Sequence, residues 1–473
     1  MLIPQRGGQE RLLETLDSSE WVHLNSPSPY LAWAPDSKWL VLPAADPGKE
    51  ALGLLLISVQ TLEKRRLTTS PAGFFDTTPA FSPDGRTLAF TRAGLIRSGI
   101  CLIRLGANYE PQGVPPRLVT PDTQPSFGAA WTADGNDIVS CYGLLTGKGL
   151  WRMSASVPRE PLRLSFTSDA TAVPAISRQG NRLVYEAEKL DANIYRVDLG
   201  GPGQNPGIPF KFISSTRTDI LPAYSPDGKK IAFSSDRSGA MEIWLCASDG
   251  SNAVQLTSLG GTDYWGPKWS PDGQSIVFGL NHTGKHDILS ISANGGLPRR
   301  LATEPVASST WPSWSRDGRS IYFRSERTGK TEIWKMPAAG GEPIQITRNS
   351  GDLPQESLDG KFLYYLKGDR YPEQCSVWKV PVEGGEETRV LDSTACTYPY
   401  NVGEQGIYFL TPPDKQGRSD VGLYDLRTGK TQKIITIEQL EPMDIEVSPD
   451  GRTILYVQTD QAGSDLMLVE NFR

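Results

Sequence analysis

Hydrophobic and polar residues alternate over short stretches along the whole chain. Segments such as "KIAFSS", "SIVFGL" and "SIYFRS" place apolar side chains at every second position and are rich in β-branched and aromatic residues. No segment shows the 3.6-residue period that a long amphipathic helix would need. The pattern therefore predicts a chain that is close to all-β.

These strand-like segments are arranged in a repeating unit. Each unit holds four short strands, a to d, and a turn such as "SPDG" joins strand a to strand b, with Pro and Gly where a type I turn closing a hairpin prefers them. Four-stranded units repeated at this spacing indicate the blades of a β-propeller. The central turn residues, 42 to 50 positions apart, are Asp36, Asp84, Asp134, Gln179, Asp227, Asp272, Asp317, Asp359, Gln405 and Asp450.

The ends of the repeat array leave two arrangements open. The tenth unit supplies strands a to c but no strand d, while residues 2–16 read as a strand c and a strand d without their own a and b. One ring of ten blades would use residues 10–16 as the missing strand d. The favoured alternative is two propellers: an incomplete one over residues 1–210, with a half-blade and four units, and a six-bladed one over residues 211–473. The unmatched half-blade also leads us to expect further blades upstream.

The repeated phrase resembles a known family. The pattern "P-x-W-S-P-D-G-x-x-I-x-F…G-x-x-E-I-W…G-G…Q-L-T" resembles the WD-like propeller repeat of the TolB family over almost the whole chain. The ending "SDLMLVENFR" and the order of the units resemble the extracytoplasmic propeller of CadC-type winged-helix transcriptional regulators. The resemblance implies a propeller in a periplasmic or other extracytoplasmic setting. It implies no DNA binding, because this sequence has neither the winged helix nor the membrane helix of those regulators.

Composition narrows the function classes. The net charge is −6 and no block of basic residues occurs, so we expect no nucleic-acid partner. The longest apolar stretch, residues 51–59, is too short to span a membrane. We find no secretory signal peptide, which leaves a cytoplasmic location open. The number of cysteines is odd and no CxxC spacing occurs, so we expect buried thiols and neither a zinc site nor a disulfide framework.

Linear catalytic motifs are missing from the sequence. There is no G-x-S-x-G, HExxH, P-loop or G-x-G-x-x-G pattern, and only three histidines occur. We therefore predict no catalytic residue, no metal site and no cofactor. The Asp of "SPDG" is interpreted as a turn residue, and Trp244, Trp334 and Trp378 of strand c are interpreted as packing between blades.

The loops from strand d of one blade to strand a of the next break the shared pattern. Asp recurs shortly before the Pro of these loops, and aromatic residues accompany it. Such loops lie at the mouth of a propeller channel, so they could form an acidic, aromatic-lined binding site; alternatively, each Asp only caps a turn. The candidate site residues are Asp76, Asp219, Asp263, Tyr264, Trp265, Trp311, Asp352 and Tyr398.

Two functions remain open at this point. The first is a non-enzymatic propeller that senses a ligand or binds a protein, peptide or small molecule at its channel mouth. It would be the sensor part of a larger regulator or a TolB-like periplasmic scaffold. The alternative is a propeller enzyme of the glycosidase, lactonase or lyase type, with carboxylates or a metal in the channel.

Overall fold

The computed structural model describes most of the chain and contains strands, turns and loops. It describes residues 31–45, 52–71, 74–94, 98–113, 115–120, 126–142, 149–157, 159–167, 171–177, 181–200, 205–260, 263–282, 285–302, 309–370, 374–396, 399–438 and 443–472. No helix occurs in these residues, so none of them forms a helix that could cross a membrane. The predicted all-β fold is confirmed.

In the described residues, eight antiparallel sheets have four strands each and match the predicted blades, and a ninth sheet has five strands. The strands of the first half are β1 (Ala32–Trp33), β2 (Trp39–Ala45), β3 (Leu52–Ser58), β4 (Lys64–Arg66), β5 (Phe74–Phe81), β6 (Thr87–Gly94), β7 (Ser98–Arg104), β8 (Arg117–Leu118), β9 (Ser126–Trp131), β10 (Asp137–Tyr142), β11 (Gly149–Ser154), β12 (Leu162–Arg163), β13 (Thr171–Ile176), β14 (Leu183–Asp198) and β15 (Phe210–Ile213).

The second half continues the same pattern, in which each strand pairs with the next one along the chain within its own blade. Its strands are β16 (Asp219–Tyr224), β17 (Lys230–Ser235), β18 (Glu242–Ala247), β19 (Val254–Gln255), β20 (Asp263–Trp269), β21 (Ser275–His282), β22 (Lys285–Ser292), β23 (Arg299–Ala302), β24 (Ser309–Trp314), β25 (Ser320–Ser325), β26 (Glu332–Pro337), β27 (Ile344–Gln345), β28 (Asp352–Glu356), β29 (Phe362–Arg370), β30 (Gln374–Pro381), β31 (Thr388–Thr394), β32 (Tyr400–Gly403), β33 (Gly406–Leu410), β34 (Ser419–Asp425), β35 (Lys430–Ile437), β36 (Met443–Val447) and β37 (Thr453–Val469).

The chain forms two compact units. One comprises residues 1–189 and 463–473, and the other comprises residues 190–462. These limits differ from the predicted spans of 1–210 and 211–473, because β14 and β37 run straight through the positions where units four and ten were expected to turn from strand b to strand c. The first half of β14 and the last part of β37 belong to the unit of residues 1–189 and 463–473. The second half of β14 and the first part of β37 belong to the unit of residues 190–462.

Units four and ten therefore exchange strands. In the six-bladed unit, β36 and the first part of β37 supply strands a and b of one blade, while the second part of β14 and β15 supply strands c and d. In the other unit, β13 and the first part of β14 are joined by the end of β37, where Lys189 Nζ lies 2.5 Å from Asp465 Oδ2. The predicted strand d at residues 211–216 is found in the six-bladed unit, as β15.

The six-bladed unit is a closed ring. Its innermost strands contact one another in the cyclic order β16, β20, β24, β28, β32 and β36, and β36 contacts β16 again. The hydrophobic core lies between neighbouring blades, where the aromatic residues of the second strands are fully buried, as for Phe233, Phe278 and Phe323. Because six blades close by themselves, the alternative of a single ten-bladed ring does not apply.

The repeated "SPDG" tetrapeptide forms the turn between the first two strands of a blade. In one copy, Ser225 Oγ donates a hydrogen bond to Asp227 Oδ1 at 2.7 Å and accepts one from Lys230 N at 2.9 Å. Gly228 has φ +69°, where a side chain would be strained, and its N–H donates to Ser225 O at 2.8 Å. The hydrogen bonds from Ser225 and from Lys229 N lower the pKa of Asp227. The tetrapeptide is thus a structural turn.

The repeated "EIW" and "LT" pieces are joined by hydrogen bonds between strands c and d. Thr257 Oγ1 accepts from Ile243 N at 2.9 Å and donates to Glu242 Oε2 at 2.5 Å. The other oxygen of Glu242 accepts from Leu259 N at 2.7 Å and from Gly260 N at 2.8 Å. We call this arrangement the c–d latch; another copy is formed by Thr347 and Glu332. The repeated phrase is therefore scaffold, because its polar groups hydrogen-bond within the blade.

Two cysteines form a disulfide that the sequence analysis did not expect. Cys375, at the start of β30, is bonded to Cys396, just after β31 on the neighbouring strand. Spacing alone could not show this pairing, because it depends on the register of two strands. The remaining cysteines, Cys101, Cys141 and Cys246, are buried thiols.

Candidate functional site

The innermost strands of the six-bladed unit surround a narrow channel that contains a cavity of about 40 Å³. One water molecule needs roughly 10–15 Å³ of such space, so the cavity holds a small group rather than a large ligand. All six innermost strands contribute to its wall. The lining residues are Leu221, Gly266, Lys268, Trp311, Pro312, Ser313, Leu353, Pro354, Gln355, Tyr400, Asp444 and Ile445.

A bulge in five of the six innermost strands places a residue of each at the channel, whereas β32 pairs with β33 without a register shift. The register of the β16–β17 pair shifts between Ile220 and Ala223, and comparable shifts occur in the pairs of β20, β24, β28 and β36. The bulged residues Leu221, Trp311 and Asp444 have φ angles of +56°, +56° and +61°. Bulges re-aim side chains, and strained backbone in a non-glycine residue is often found at functional sites. We call these positions the bulge layer.

Two residues further along each strand lies a second ring of positions, which we call the polar layer. Here the six blades carry six different residue types: Ala223, Lys268, Ser313, Gln355, Asn401 and Glu446. The blade-building positions repeat, whereas these positions do not. A unique ring of side chains inside a repeated scaffold is where chemistry specific to this protein can reside.

Glu446 is held by three donors. Asn401 Nδ2 donates to Glu446 Oε2 at 2.6 Å, Lys268 Nζ lies 3.5 Å from the same oxygen, and Tyr224 N donates to Oε1 at 3.2 Å. Gln355 makes the corresponding bridge two blades away, because its Oε1 accepts from the backbone N of the next blade at 3.0 Å. Glu446 is thus a bridge between blades, beside the cavity-lining Lys268.

Asp444 has a different environment, although it lies on the same strand. The residue is only 6% exposed, and among the described residues its carboxyl makes no ion pair within 4 Å. Burial raises the pKa of Asp444 to about 7, with Lys268 opposing the rise and Glu446 adding to it. For Lys268 itself, burial alone would lower the pKa, but the carboxylates of Glu446 and Asp444 raise it.

Ser313 faces the same cavity. Its hydroxyl oxygen is buried and has no hydrogen-bond partner among the described residues, and the whole residue is 8% exposed. A buried hydroxyl without a partner loses free energy on folding, which makes it a place where a ligand can supply the missing bond. Tyr400 also lines the cavity, but its hydroxyl donates to Leu353 O at 2.5 Å and is therefore already bonded.

Two of the predicted site aspartates lie outside the channel and are paired. Asp219 is fully buried, and its Oδ1 is 2.6 Å from Arg237 Nη2. Asp76, in the other compact unit, is also fully buried and makes a two-point contact with Arg92 at 2.7 and 2.9 Å. Both carboxylates are two residues before a bulged position, and each pairs with an arginine on or just after the second strand of its own blade.

Two other predicted residues are at or near the channel. Trp311 belongs to the bulge layer and lines the cavity. Asp352 precedes the bulged residue Leu353 and lies 3.1 Å from Arg324 Nη1, with its side chain 33% exposed. Burial raises the pKa of Asp352, while Arg324 opposes the rise. The structure therefore separates the predicted aspartates into paired bracing groups and one partly exposed carboxyl.

The remaining predicted residues cannot be placed at the channel. The backbone of Asp263, Tyr264 and Trp265 belongs to β20, but their side chains lie outside the described residues. Tyr398 also lies outside them. Their role at the channel mouth stays a prediction.

Sequence reasoning missed the polar groups of the channel itself. It followed the Asp–Pro spacing of the loops, and in unit ten Ile445 stands where most other units have Pro, so Asp444 did not match. Lys268 and Ser313 were hidden inside "PKW" and "PSW", which were interpreted as ordinary strand a. The units can instead be aligned on the residue before the Pro position. In that alignment Asp444, Lys268 and Ser313 each stand where the other units carry a different residue.

Metal-binding chemistry has no candidate among the described side chains. No group of three or more His, Cys, Asp or Glu residues in that part of the chain is arranged to hold an ion. The channel instead combines a protonatable carboxyl, an ammonium group, a free hydroxyl and an apolar rim. Such an arrangement can bind a small polar or charged group at the end of an apolar entrance.

Comparison with known families supports the TolB-like repeat. Residues 263–399 match the family model described as the TolB beta propeller domain. This segment contains three of the six strands that line the channel. The TolB-like part of the expected resemblance is thereby confirmed for these blades, whereas the relation to CadC-type regulators stays a prediction.

Individual relatives are distant. An uncharacterized protein of Agrobacterium fabrum is 31% identical over 226 residues, which is 48% of this chain and 56% of that protein, so the chain spans about half the length of this relative. TolB of Acinetobacter baumannii is 15% identical over 76% of this chain and 81% of its own, with a TM-score of 0.34. A puromycin-hydrolyzing peptidase of Mycobacterium tuberculosis is 13% identical over 81% of this chain and 57% of its own, with a TM-score of 0.38.

Proposed function

We propose that this protein is a non-enzymatic binding propeller, and that its binding site is the mouth and channel of the six-bladed unit. The partner is a protein, a peptide or a small molecule, of which a small group enters the cavity. The protein would serve as the sensor part of a larger regulator, of the CadC type suggested by the repeat order, or as a TolB-like periplasmic scaffold.

The bulge layer carries this proposal. In four blades a residue other than glycine has a positive φ directly at the channel, and three of these residues, Leu221, Trp311 and Leu353, stand immediately before a proline. A residue before proline normally favours extended backbone, so this conformation is maintained at an energetic cost. The result is an apolar rim of two leucines and a tryptophan above the unrepeated polar layer, which is the composition of a recognition site.

A catalytic role is supported by one observation. Asp444 is a buried carboxyl whose pKa is raised to about 7, as a general acid would require. Glycosidic and related chemistry needs a second free carboxylate, however, and Glu446 is already engaged by Asn401, Lys268 and Tyr224 N. Binding is therefore the better-supported function.

The disulfide supports an extracytoplasmic location for this protein. Disulfides such as Cys375–Cys396 persist in oxidising compartments and are rare in the cytosol. The bond lies at the start of the loop that leads into β32, where it would fix one part of the channel mouth. An extracytoplasmic location agrees with both this bond and the TolB-like repeat.

The test is a thermal-shift screen of the full chain against a panel of defined peptides and oligosaccharides. We expect some compounds to raise the melting temperature of the wild type but not of Trp311→Asn, in which asparagine accepts the positive φ. Leu297→Asn, at an exposed loop position, serves as the control and should respond like the wild type. Equal stabilisation of both variants would contradict the channel site, and conversion of a panel compound, seen by mass spectrometry, would favour the enzyme alternative.

A further inference from the structure

The channel is unequal in charge. Asp444 and Lys268 line its cavity, and Glu446 lies beside Lys268. Glu446 pairs with Lys268, with Lys268 Nζ 3.5 Å from Glu446 Oε2. With all groups ionised, one negative charge is left over, and it belongs to Asp444.

We propose that Asp444 is the anchor of a cation-binding pocket that takes a primary ammonium group carried on a short apolar stem. This inference rests on the proposed function and specifies the chemistry of the ligand at that site. The ammonium group would replace the ion-pair partner that Asp444 lacks among the described residues. Its stem would lie against the apolar rim of Leu221, Leu353 and Trp311.

The size of the cavity supports a primary ammonium group. A space of about 40 Å³ accepts a group of a few heavy atoms and excludes bulky cations. A primary ammonium group is a compact point charge with three donors, so it fits a cavity of this size better than the larger, planar guanidinium does. Burial of the carboxylate also favours the pair once it forms, because few water molecules compete for it.

Ser313 supplies a second, independent observation. Its hydroxyl is more than nine-tenths buried, lines the cavity and has no partner among the described residues. In the six-bladed ring, the blade of Ser313 is three blades from that of Asp444, which places the two residues on opposite walls. A ligand that carries a peptide group next to its ammonium group can reach both, whereas a simple alkylamine can reach only Asp444.

This geometry distinguishes the possible sources of the ammonium group. A protein N-terminus has a peptide group beside its ammonium, a lysine side chain has only methylene groups there, and a free alkylamine has neither a peptide group nor a protein attached. All three carry the primary ammonium group that would pair with Asp444. Only the N-terminus also has a peptide group that could hydrogen-bond to Ser313, so only its binding should be strengthened by Ser313.

The experiment measures binding to the full-length chain by ligand-observed NMR with three probes: glycyl-leucine amide, Nα-acetyl-lysine amide and n-butylammonium chloride. We expect at least one probe to bind the wild type, and Asp444→Asn to weaken that binding at least tenfold. Asparagine is tolerated at the positive φ of position 444, so this variant should fold. Asp249→Asn removes an exposed carboxylate of the same unit and should bind like the wild type.

Two further variants sharpen the result. Lys268→Met removes the competing cation and should tighten binding several-fold, while Glu446 keeps Asn401 and Tyr224 N as donors. Ser313→Ala should weaken the binding of glycyl-leucine amide several-fold and leave the other two probes unchanged. This pattern would identify a protein N-terminus as the ligand.

The outcomes separate this inference from the proposed function. The pocket is disproved if no ammonium probe binds, if Asp444→Asn binds as well as the wild type, or if N-acetylated glycyl-leucine amide and 1-butanol bind as tightly as the charged probes. In each of these cases, ligands found by the Trp311→Asn screen would still support the channel as a binding site. If that screen also finds none, both proposals fail.

Discussion

Asp219 and Asp444 lie on innermost strands of the same six-bladed unit, yet their surroundings are opposite. Asp219 is two residues before a bulge, is fully buried and pairs with Arg237 at 2.6 Å. Asp444 is at the bulge itself, faces the channel and lacks such a pair among the described residues. The position of an acidic residue relative to the bulge therefore decides whether it pairs within the blade, as Asp219 does, or faces the channel, as Asp444 does.

The same contrast extends to the rest of the molecule. Positions that repeat from blade to blade, in the turns and in the c–d latch, are satisfied by hydrogen bonds within their own blade. The polar layer and Asp444 do not repeat, and they include buried groups without partners. We therefore expect mutations in the first set to destabilise the protein, and mutations of Asp444 to stabilise it.

The largest effect is expected at the paired aspartate. Asp219→Ala should lower the free energy of unfolding by about 4 kcal/mol, because Arg237 would stay mostly buried without its partner. Chemical denaturation measures this loss. The double variant Asp219→Leu/Arg237→Met should recover most of it, since it removes both charges. A loss below about 1 kcal/mol in the single variant would show that the pair does not brace the blade.

Mutation of Asp444 should raise the free energy of unfolding, and the size of this gain should depend on pH. Its pKa is about 7 in the folded protein and near 3.9 when unfolded, so the folded state holds the proton between these values. Stability is thus greatest below about pH 4 and falls as the pH rises towards 7. Asp444→Asn removes this fall, and its advantage over the wild type should grow to the order of 3 kcal/mol at pH 8.

Denaturation of both proteins between pH 4.5 and pH 8 tests this prediction. At pH 4.5 Asp444 is neutral in the folded protein but mostly ionised in the unfolded chain, so the two proteins should differ by only about 1 kcal/mol. A constant difference over the whole range would mean that Asp444 does not titrate there. Asp249→Asn is the control, because that carboxylate is exposed and stays ionised in this range.

Loss of the c–d latch should have the next largest effect on the free energy of unfolding. Thr257→Val removes a hydroxyl that serves Ile243 N and Glu242 Oε2, so a buried N–H and a carboxylate lose a partner. The expected loss is about 2 kcal/mol. Thr347→Val tests the other copy and should give a similar value. Ser238→Ala, at an exposed loop position, should change the stability by less than about 0.5 kcal/mol.

The smallest effect is expected in the turn. Gly228→Ala places a side chain at φ +69°, where the nearest neighbouring atom to the new methyl group is 3.8 Å away, so only backbone strain changes. The expected loss is about 1 kcal/mol. Lys229→Ala in the same turn is the control and should be close to neutral. If both variants behave alike, the positive φ is not what selects glycine at this turn.

The blades could be predicted from the sequence because their signals are local. Alternation at period two, the Ser-Pro-Asp-Gly turn and the Thr of strand d each describe contacts between residues close along the chain. Trp244, Trp334 and Trp378 were correctly interpreted as packing between blades, since each contacts a cluster shared by neighbouring blades. The Cys375–Cys396 bond was missed, because it depends on pairing between two strands.

The candidate site was harder to predict from the sequence. Asp76 and Asp219 match the loop pattern but are bracing groups, whereas Asp444 departs from the pattern and lines the channel. A shift of one residue along a strand moves a side chain to the other face, and a bulge adds a further shift that spacing does not show. Trp311 was found because its position happens to coincide with the bulge.

The sequence by itself determined the repeating four-stranded blade, its turns and the latch between strands c and d, because these depend on interactions within about 45 residues. Only the tertiary structure decided that β14 and β37 exchange strands between units four and ten, and that Asp444, Lys268 and Ser313 meet in one channel. The reason is that strand pairing and ring closure join residues more than 100 positions apart. Which side chain then faces the channel depends on a register that no local pattern specifies.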